Sequence, residues 1–387
     1  MSTTENFSEI KEKPIISKPD KTLVITSVFL VTIGILAVFS SSAPRAIAGG
    51  ESPLAFVLKQ LIWLVLGVIG CWFFTYKINL KKLKPLGLPL AWVVVLLLAL
   101  VEFTPLGLTV NNSTRWLAIG PIQFQPSEFA KPIFVLCCAT MFSKNAILFD
   151  HKKLKYYIPF GLVLLFVLSQ PNLSMVALLG ITFGAIYLCA GGNFKDLLIS
   201  FFCCCFAAIA SGKIKPYHIK RLLIFLNPEQ DPRGAGYNSI QSLIAFASGN
   251  FFGVGYGNSK QKLGWLPENH TDYIYAVIAE EFGFLGCLFI ICLFGTFLVR
   301  GFSIASKTTD PYLKLLAFGT TFSICFQAMM NIGVTSSIMP PTGIPLPFIS
   351  YGGSSLFVTL CMLGVLLNIS RRKVDRISDR KNMYDRI

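Results

Sequence analysis

Ten apolar blocks leave this chain few folds to adopt. They lie near 22–41, 54–75, 86–104, 129–143, 157–170, 173–191, 196–211, 273–299, 313–334 and 353–369, and none alternates with period two. Each approaches the roughly 20 residues that a helix needs to cross about 30 Å of hydrocarbon. Only helices and closed barrels satisfy their backbone in lipid. The expected fold is an all-α polytopic membrane protein with about ten transmembrane helices. Composition agrees, at 53% hydrophobic and 14% charged, where a soluble protein carries nearer a quarter charged. No stretch reads as a separate soluble domain.

The chain divides into a polar tail over 1–21, expected to be disordered and cytoplasmic, a ten-helix domain over 22–370 and a basic tail over 371–387. The tail carries no cleavable signal. The net charge of +15 is spread over short loops, which points to a membrane rather than to nucleic acid. Lys77, Lys81, Lys82 and Lys84, then Lys144, Lys152, Lys153 and Lys155, then Lys195, then Arg300 and Lys307, then Arg371, Arg372 and Lys373 fall in alternate loops. By the positive-inside rule, both termini are cytoplasmic. The large loop 212–272, between the seventh and eighth helices, is then external, although it carries Lys213, Lys215, Lys220, Arg221, Arg233, Lys260 and Lys262. Long loops escape the rule, and a basic outer loop also suits an anionic ligand such as a diphosphate.

All eleven cysteines fall inside apolar blocks, where they act as small apolar fillers. No CxxC pair exists, and His151, His218 and His270 are far apart, so no metal site is expected.

Pro267-Glu268-Asn269-His270-Thr271-Asp272 ends the long loop and runs straight into an apolar block. Asp272 stands at a membrane threshold, with Glu280 and Glu281 inside the block. An ionised carboxylate at membrane depth costs roughly 2.5–3.5 kcal/mol or more, so such acids are usually put to use. Between the third and fourth blocks, Gln125-Pro126-Ser127-Glu128-Phe129-Ala130-Lys131 places Ser127 as a helix N-cap and sets Glu128 and Lys131 three apart on one face. Gly253, Gly255 and Gly257 alternate in a segment that could present amides to phosphate, though an ordinary flexible loop reads better. Over 340–355, four prolines and three glycines forbid a regular helix. Such backbone is tolerated at membrane depth only inside protein or around a cavity, so the segment is expected to dip into the membrane and wall a pocket.

STRWLAIGPIQFQPSEFAK, LPENHTDYIYAVIAEEFG and TGIPLPFISYGGSSL together resemble the FtsW, RodA and SpoVE membrane peptidoglycan glycosyltransferases, the SEDS family, over about residues 20 to 370. GNSKQK favours the branch that works in cell division. The resemblance implies a SEDS-type fold and polymerisation of lipid II, an undecaprenyl diphosphate carrying the glycan unit. It makes Asp272 the general base, and Glu128 and Lys131 site-shaping residues. Arg115, Lys262, Ser354 and His270 match further motif positions that could meet diphosphate or sugar. It also implies a class B penicillin-binding transpeptidase and other divisome membrane proteins as partners, at the septal plasma membrane. No cofactor is required; Mg2+ at the diphosphate is compatible, but no ligand cluster demands it. Two departures stand out: Asn172 where the family often has an acid, and a serine in place of a usual glycine within Gly333-Val334-Thr335-Ser336-Ser337.

The implied chemistry is direct displacement at an anomeric carbon. A carboxylate takes the hydroxyl proton, and basic groups stabilise the departing diphosphate. Two rivals remain: a lipid II flippase using Glu280, Glu281 and Lys59 as a path for the headgroup, and a scaffold with no chemistry. The concentration of motifs on the outer face favours the enzyme.

Overall fold

The computed structural model describes residues 15–373 except 111–112, 121, 149, 211–224, 226 and 235. Ten helices of sixteen residues or more follow the apolar blocks in order. They are α1 (Lys21–Ala48), α2 (Ala55–Tyr76), α3 (Gly87–Phe103), α4 (Pro126–Phe142), α5 (Leu154–Ser169), α6 (Leu173–Cys189), α7 (Phe194–Ala210), α9 (Ile274–Lys307), α10 (Pro311–Thr335) and α11 (Gly353–Ser370). A shorter helix, α8 (Tyr237–Gly249), lies between α7 and α9. Six spans are long and apolar enough to cross a membrane by themselves, that of α3 when counted from Leu80. Residues 212–224, with Lys213, Lys215, His218, Lys220 and Arg221, lie outside the described residues.

The two ends of the described chain meet on one face. Strand β1 (Ile15–Ile16) pairs antiparallel with β5 (Arg372–Lys373). Asp20 caps α1 through Leu23 N at 3.0 Å, accepts from Arg300 of α9, and its amide donates to Ser370 Oγ at 3.1 Å. Residues 15–20 of the expected disordered tail are therefore tied to the bundle, while 1–14 and 374–387 fall outside the described residues. An even number of crossings requires this shared face.

Three features were absent from the expectation. The segment after α3 folds as an antiparallel sheet, β2 (Gly107–Val110), β3 (Ser113–Ile119) and β4 (Ile122–Phe124). Gly120, between β3 and β4, takes φ 60°, the left-handed backbone that favours glycine in a turn. Helix α4 begins at Pro126, with Gln125 as its N-cap residue, so Ser127 is inside the helix and is not the cap. Proline is preset for that first helical position. Helix α9 is broken at Gly283, with φ 65° and ψ −161°. Backbone from the glycine-rich loop fills the break: Phe284 N donates to Asn250 O at 2.9 Å.

The Pro-Gly segment does dip. A Cβ on Gly34, midway along α1, would stand 2.6 Å from Phe348 O. Glycine there is what lets the two backbones touch. A small, half-open apolar pocket lies between α3, α4 and α5, against Ala91, Ala130 and Phe160.

Candidate active site

Asp272 sits one residue before the N-cap of α9, on the face opposite the chain ends. The turn that delivers it is closed by backbone bonds from Thr271 N and Tyr273 N to Glu268 O, at 3.2 and 3.1 Å, with Glu268 held at φ 52°. That left-handed backbone costs a non-glycine residue about 1 kcal/mol or more. It persists because the turn is bonded from several sides.

Strand β3 brings Arg115 to the same place. Its Nε donates to Gln170 O at 2.9 Å and its Nη2 to Pro171 O, which fixes the guanidinium plane. A Cβ on Gly343 would stand 3.3 Å from Asp272 Oδ2 and 3.6 Å from Arg115 Nη1. The dipping segment thus presents a bare backbone where the carboxylate and the guanidinium converge.

Behind them lies a buried polar frame. Glu128 and Lys131 pair at 2.6 Å with both side chains 2% exposed. Lys131 Nζ also donates to Gln327 Oε1 at 2.7 Å, and Gln327 Nε2 donates to Pro345 O at 2.8 Å. One turn further along α10, Asn331 Nδ2 donates to both Asp272 O and Ile344 O at 2.8 Å. Ser350 Oγ donates to Thr271 O at 2.6 Å, Tyr351 N to His270 O at 2.9 Å, and Gln60 holds Ser350 O and Gly352 N at 3.2 Å each. Glu128 and Lys131 connect to the segment beside Asp272 through Gln327 and the dipping loop. Gln60, Gln327, Asn331 and Ser350 were not read from the sequence. The available signal was an amide or hydroxyl inside an apolar or loop context, with Gln327 and Asn331 one turn apart.

The other expected residues are placed differently. Ser354 is 1% exposed and accepts from Gln125 N at 3.1 Å, fastening the start of α11 to the start of α4. His270 packs its ring against Phe56 and Tyr351, and burial pushes its imidazole down to about 4. Lys262 is not among the groups around Gly343. Its Nζ donates to Glu281 Oε1 at 2.8 Å and Ser40 Oγ at 2.7 Å, inside the protein. Glu280 accepts from Ser259 Oγ and from the amides of Lys260 and Gln261 at 3.0 and 3.2 Å. The amides of Val254 and Gly255 donate to Glu280 O and Glu281 O, both at 3.0 Å. Gly253 serves close packing, since a Cβ on it would stand 2.1 Å from Glu281 O, whereas Gly257 has open space around it. Asn172 caps α6 through Met175 N at 3.2 Å, a task an amide does as well as an acid. Ser337, in the 333–337 segment, takes φ 55°, the left-handed region that favours glycine.

The family described as "Cell cycle protein", covering FtsW, RodA and SpoVE, matches residues 21–375. The chain belongs to that family. It is 38% identical over 341 residues to the "Probable peptidoglycan glycosyltransferase FtsW" of Synechocystis, covering 88% of this chain and 86% of the relative. It is 36% identical to the stage V sporulation protein E of Bacillus subtilis, covering 92% and 98%. Among solved structures it superposes at TM-score 0.76 and 29% identity, covering 91% and 98%, on a chain from work on "polymerization and crosslinking by a peptidoglycan synthase complex". RodA of Thermus thermophilus matches at TM-score 0.66 and 26% identity, covering 92% and 98%. The family's polytopic helical fold is the fold of this chain.

Proposed function

We propose that this chain is a peptidoglycan glycosyltransferase that polymerises lipid II for septal cell-wall synthesis, with Asp272 as general base. The observation that carries the reading is the convergence of Asp272 and Arg115 at Gly343, in a chain whose relatives are named peptidoglycan glycosyltransferases. Asp272 takes the proton from a sugar hydroxyl of the incoming lipid II as that oxygen bonds the anomeric carbon of the growing chain. The bond from that carbon to the diphosphate breaks, and its electron pair leaves with undecaprenyl diphosphate. One displacement inverts the centre. Arg115, its plane already fixed, supplies positive charge beside the departing diphosphate without reorganising. Glu128 and Lys131 hold the loop that borders the pair.

The proposal includes a class B penicillin-binding transpeptidase as partner, by analogy with the synthase complex, and other divisome membrane proteins. It places the chain in the plasma membrane at the septum, with both termini cytoplasmic. The Lys-rich short loops support that orientation. Mg2+ at the diphosphate is compatible with the reading. Among the described residues no three His, Cys, Asp or Glu converge, so such an ion would take its oxygens chiefly from the diphosphate and water. The flippase reading loses its path charges: Glu280 and Glu281 are buried and already bonded, and Lys59 is exposed.

The deciding experiment is lipid II polymerisation by purified Asp272→Asn. The amide keeps the shape but cannot accept the proton at neutral pH, so the rate should fall roughly 10²-fold or more. A well-folded variant that polymerises at near wild-type rate would overturn the assignment.

A further inference from the structure

We propose that residues 237–273 form a re-entrant hairpin whose middle, residues 243–266, is immersed in the leaflet on the Asp272 side with its outward face packed on lipid acyl chains, while both ends of the hairpin emerge at the membrane surface. Immersion goes beyond the glycosyltransferase reading and does not depend on it.

Depth is the first argument. Helices α1 and α9 run antiparallel, in a register fixed at three levels: Asp20 with Arg300, the rings of Phe29 and Phe289 at 6.4 Å, and Ser40 with Glu281. The hairpin enters between the second and third of these levels. Helix α8 descends along α9, so that a Cβ on Gly249 would stand 2.0 Å from Ala279 O. At the tip, Tyr256 OH donates to Leu36 O at 2.9 Å. Leu36 is twelve residues from Ala48, the end of α1 on the Asp272 side. At 1.5 Å per residue that is about 18 Å along a helix of about 42 Å, close to its middle, which lies inside a hydrocarbon layer about 30 Å thick. The chain then climbs past Ser259 and Lys262, bonded to Glu280 and Glu281, to Leu266, which packs with Ala245, Tyr273 and Val334.

Chemistry is the second argument. Residues 234–259 contain no charged side chain. The hairpin exposes Phe251, Phe252, Val254, Leu263 and Trp265, with Phe252 at 76%. This face continues onto Phe284, Leu285 and Phe289 of α9, which are also exposed. An apolar surface of this kind at that depth fits lipid, not water. Lys260, the exposed cation on the rising arm, can carry its ammonium upward on its four-carbon stem. The inward backbone is bonded: the carbonyls of Glu280 and Glu281 and the Glu280 carboxylate take tip and arm amides, and the Glu281 carboxylate takes Lys262 Nζ. Non-helical backbone at membrane depth requires that. The buried acids thus cross-link the hairpin that carries Asp272.

The test uses the full chain in lipid bilayers, with the native cysteines replaced. Nitroxides are attached at Phe252→Cys, at Phe289→Cys as the lipid reference and at Pro267→Cys as the water reference. Relaxation by oxygen should exceed that by a water-soluble nickel chelate at positions 252 and 289, with the reverse at 267. Nickel exceeding oxygen at 252 would make the loop aqueous and overturn the proposal. Low access to both would mean a protein covers it, which also overturns it. A second measurement needs no cysteine. Brominated lipids should quench wild-type indole fluorescence more than that of Trp265→Phe, and equal quenching would count against immersion.

Discussion

At Glu128 and Lys131 a buried charge depends on one partner three residues away. Both side chains are 2% exposed, so removing either leaves the other uncompensated, at about 3–5 kcal/mol for a fully buried pair. Glu128→Ala and Lys131→Ala should each cut polymerisation strongly, and the Glu128→Lys, Lys131→Glu exchange should recover part of it. Wild-type activity in either alanine variant would show the pair to be dispensable. His270 makes a pH prediction. Its ordinary value is 6.5 and burial lowers it to about 4, so between those values the unfolded chain binds more protons than the folded one. Stability is then full above pH 6.5 and falls as pH drops towards 4. The melting temperature of the wild type should decline across that window, and His270→Gln should flatten the decline. Parallel curves would exclude the imidazole as the cause.

At the scale of elements, α10 clamps two loops with one residue. Asn331 donates to Asp272 O and Ile344 O from a single amide nitrogen. Asn331→Asp has the same shape but no donor when ionised, and Asn331→Leu leaves both carbonyls bare. Each unsatisfied buried acceptor costs about 1–3 kcal/mol, so polymerisation should fall about tenfold or more in both variants, read as kcat on purified protein. An unchanged kcat in Asn331→Leu would remove the clamp from the mechanism. The Glu128–Lys131 contact was legible from spacing because a helix turn is local geometry. The clamp was not, because 272, 331 and 344 meet only when three segments fold together. The N-cap at Gln125 was misread because Ser127 is a good cap by type, and Pro126 settles the helix start one residue earlier.

At the scale of the whole molecule, the described residues form a bundle whose two ends share one face, through β1 with β5 and Asp20 with Arg300. Thiol labelling checks the topology. Single cysteines at Asn238 and Asn145, without other accessible thiols, should label from opposite sides of the membrane. Labelling of both from the Asp272 side would break the ten-helix topology.

Apolar block length and the spacing of short basic loops were enough to determine the ten long helices, the shared face of the described ends and the place of Asp272 just before α9. Each depends on a run of neighbouring residues meeting one solvent. Tertiary structure alone decided that Lys262 faces Glu281, that Gly253 packs against α9 at its Gly283 break and that Arg115 reaches Asp272 from a sheet. Those outcomes turn on which distant backbone approaches closely enough to accept a hydrogen bond. One-dimensional patterning carries no record of that approach.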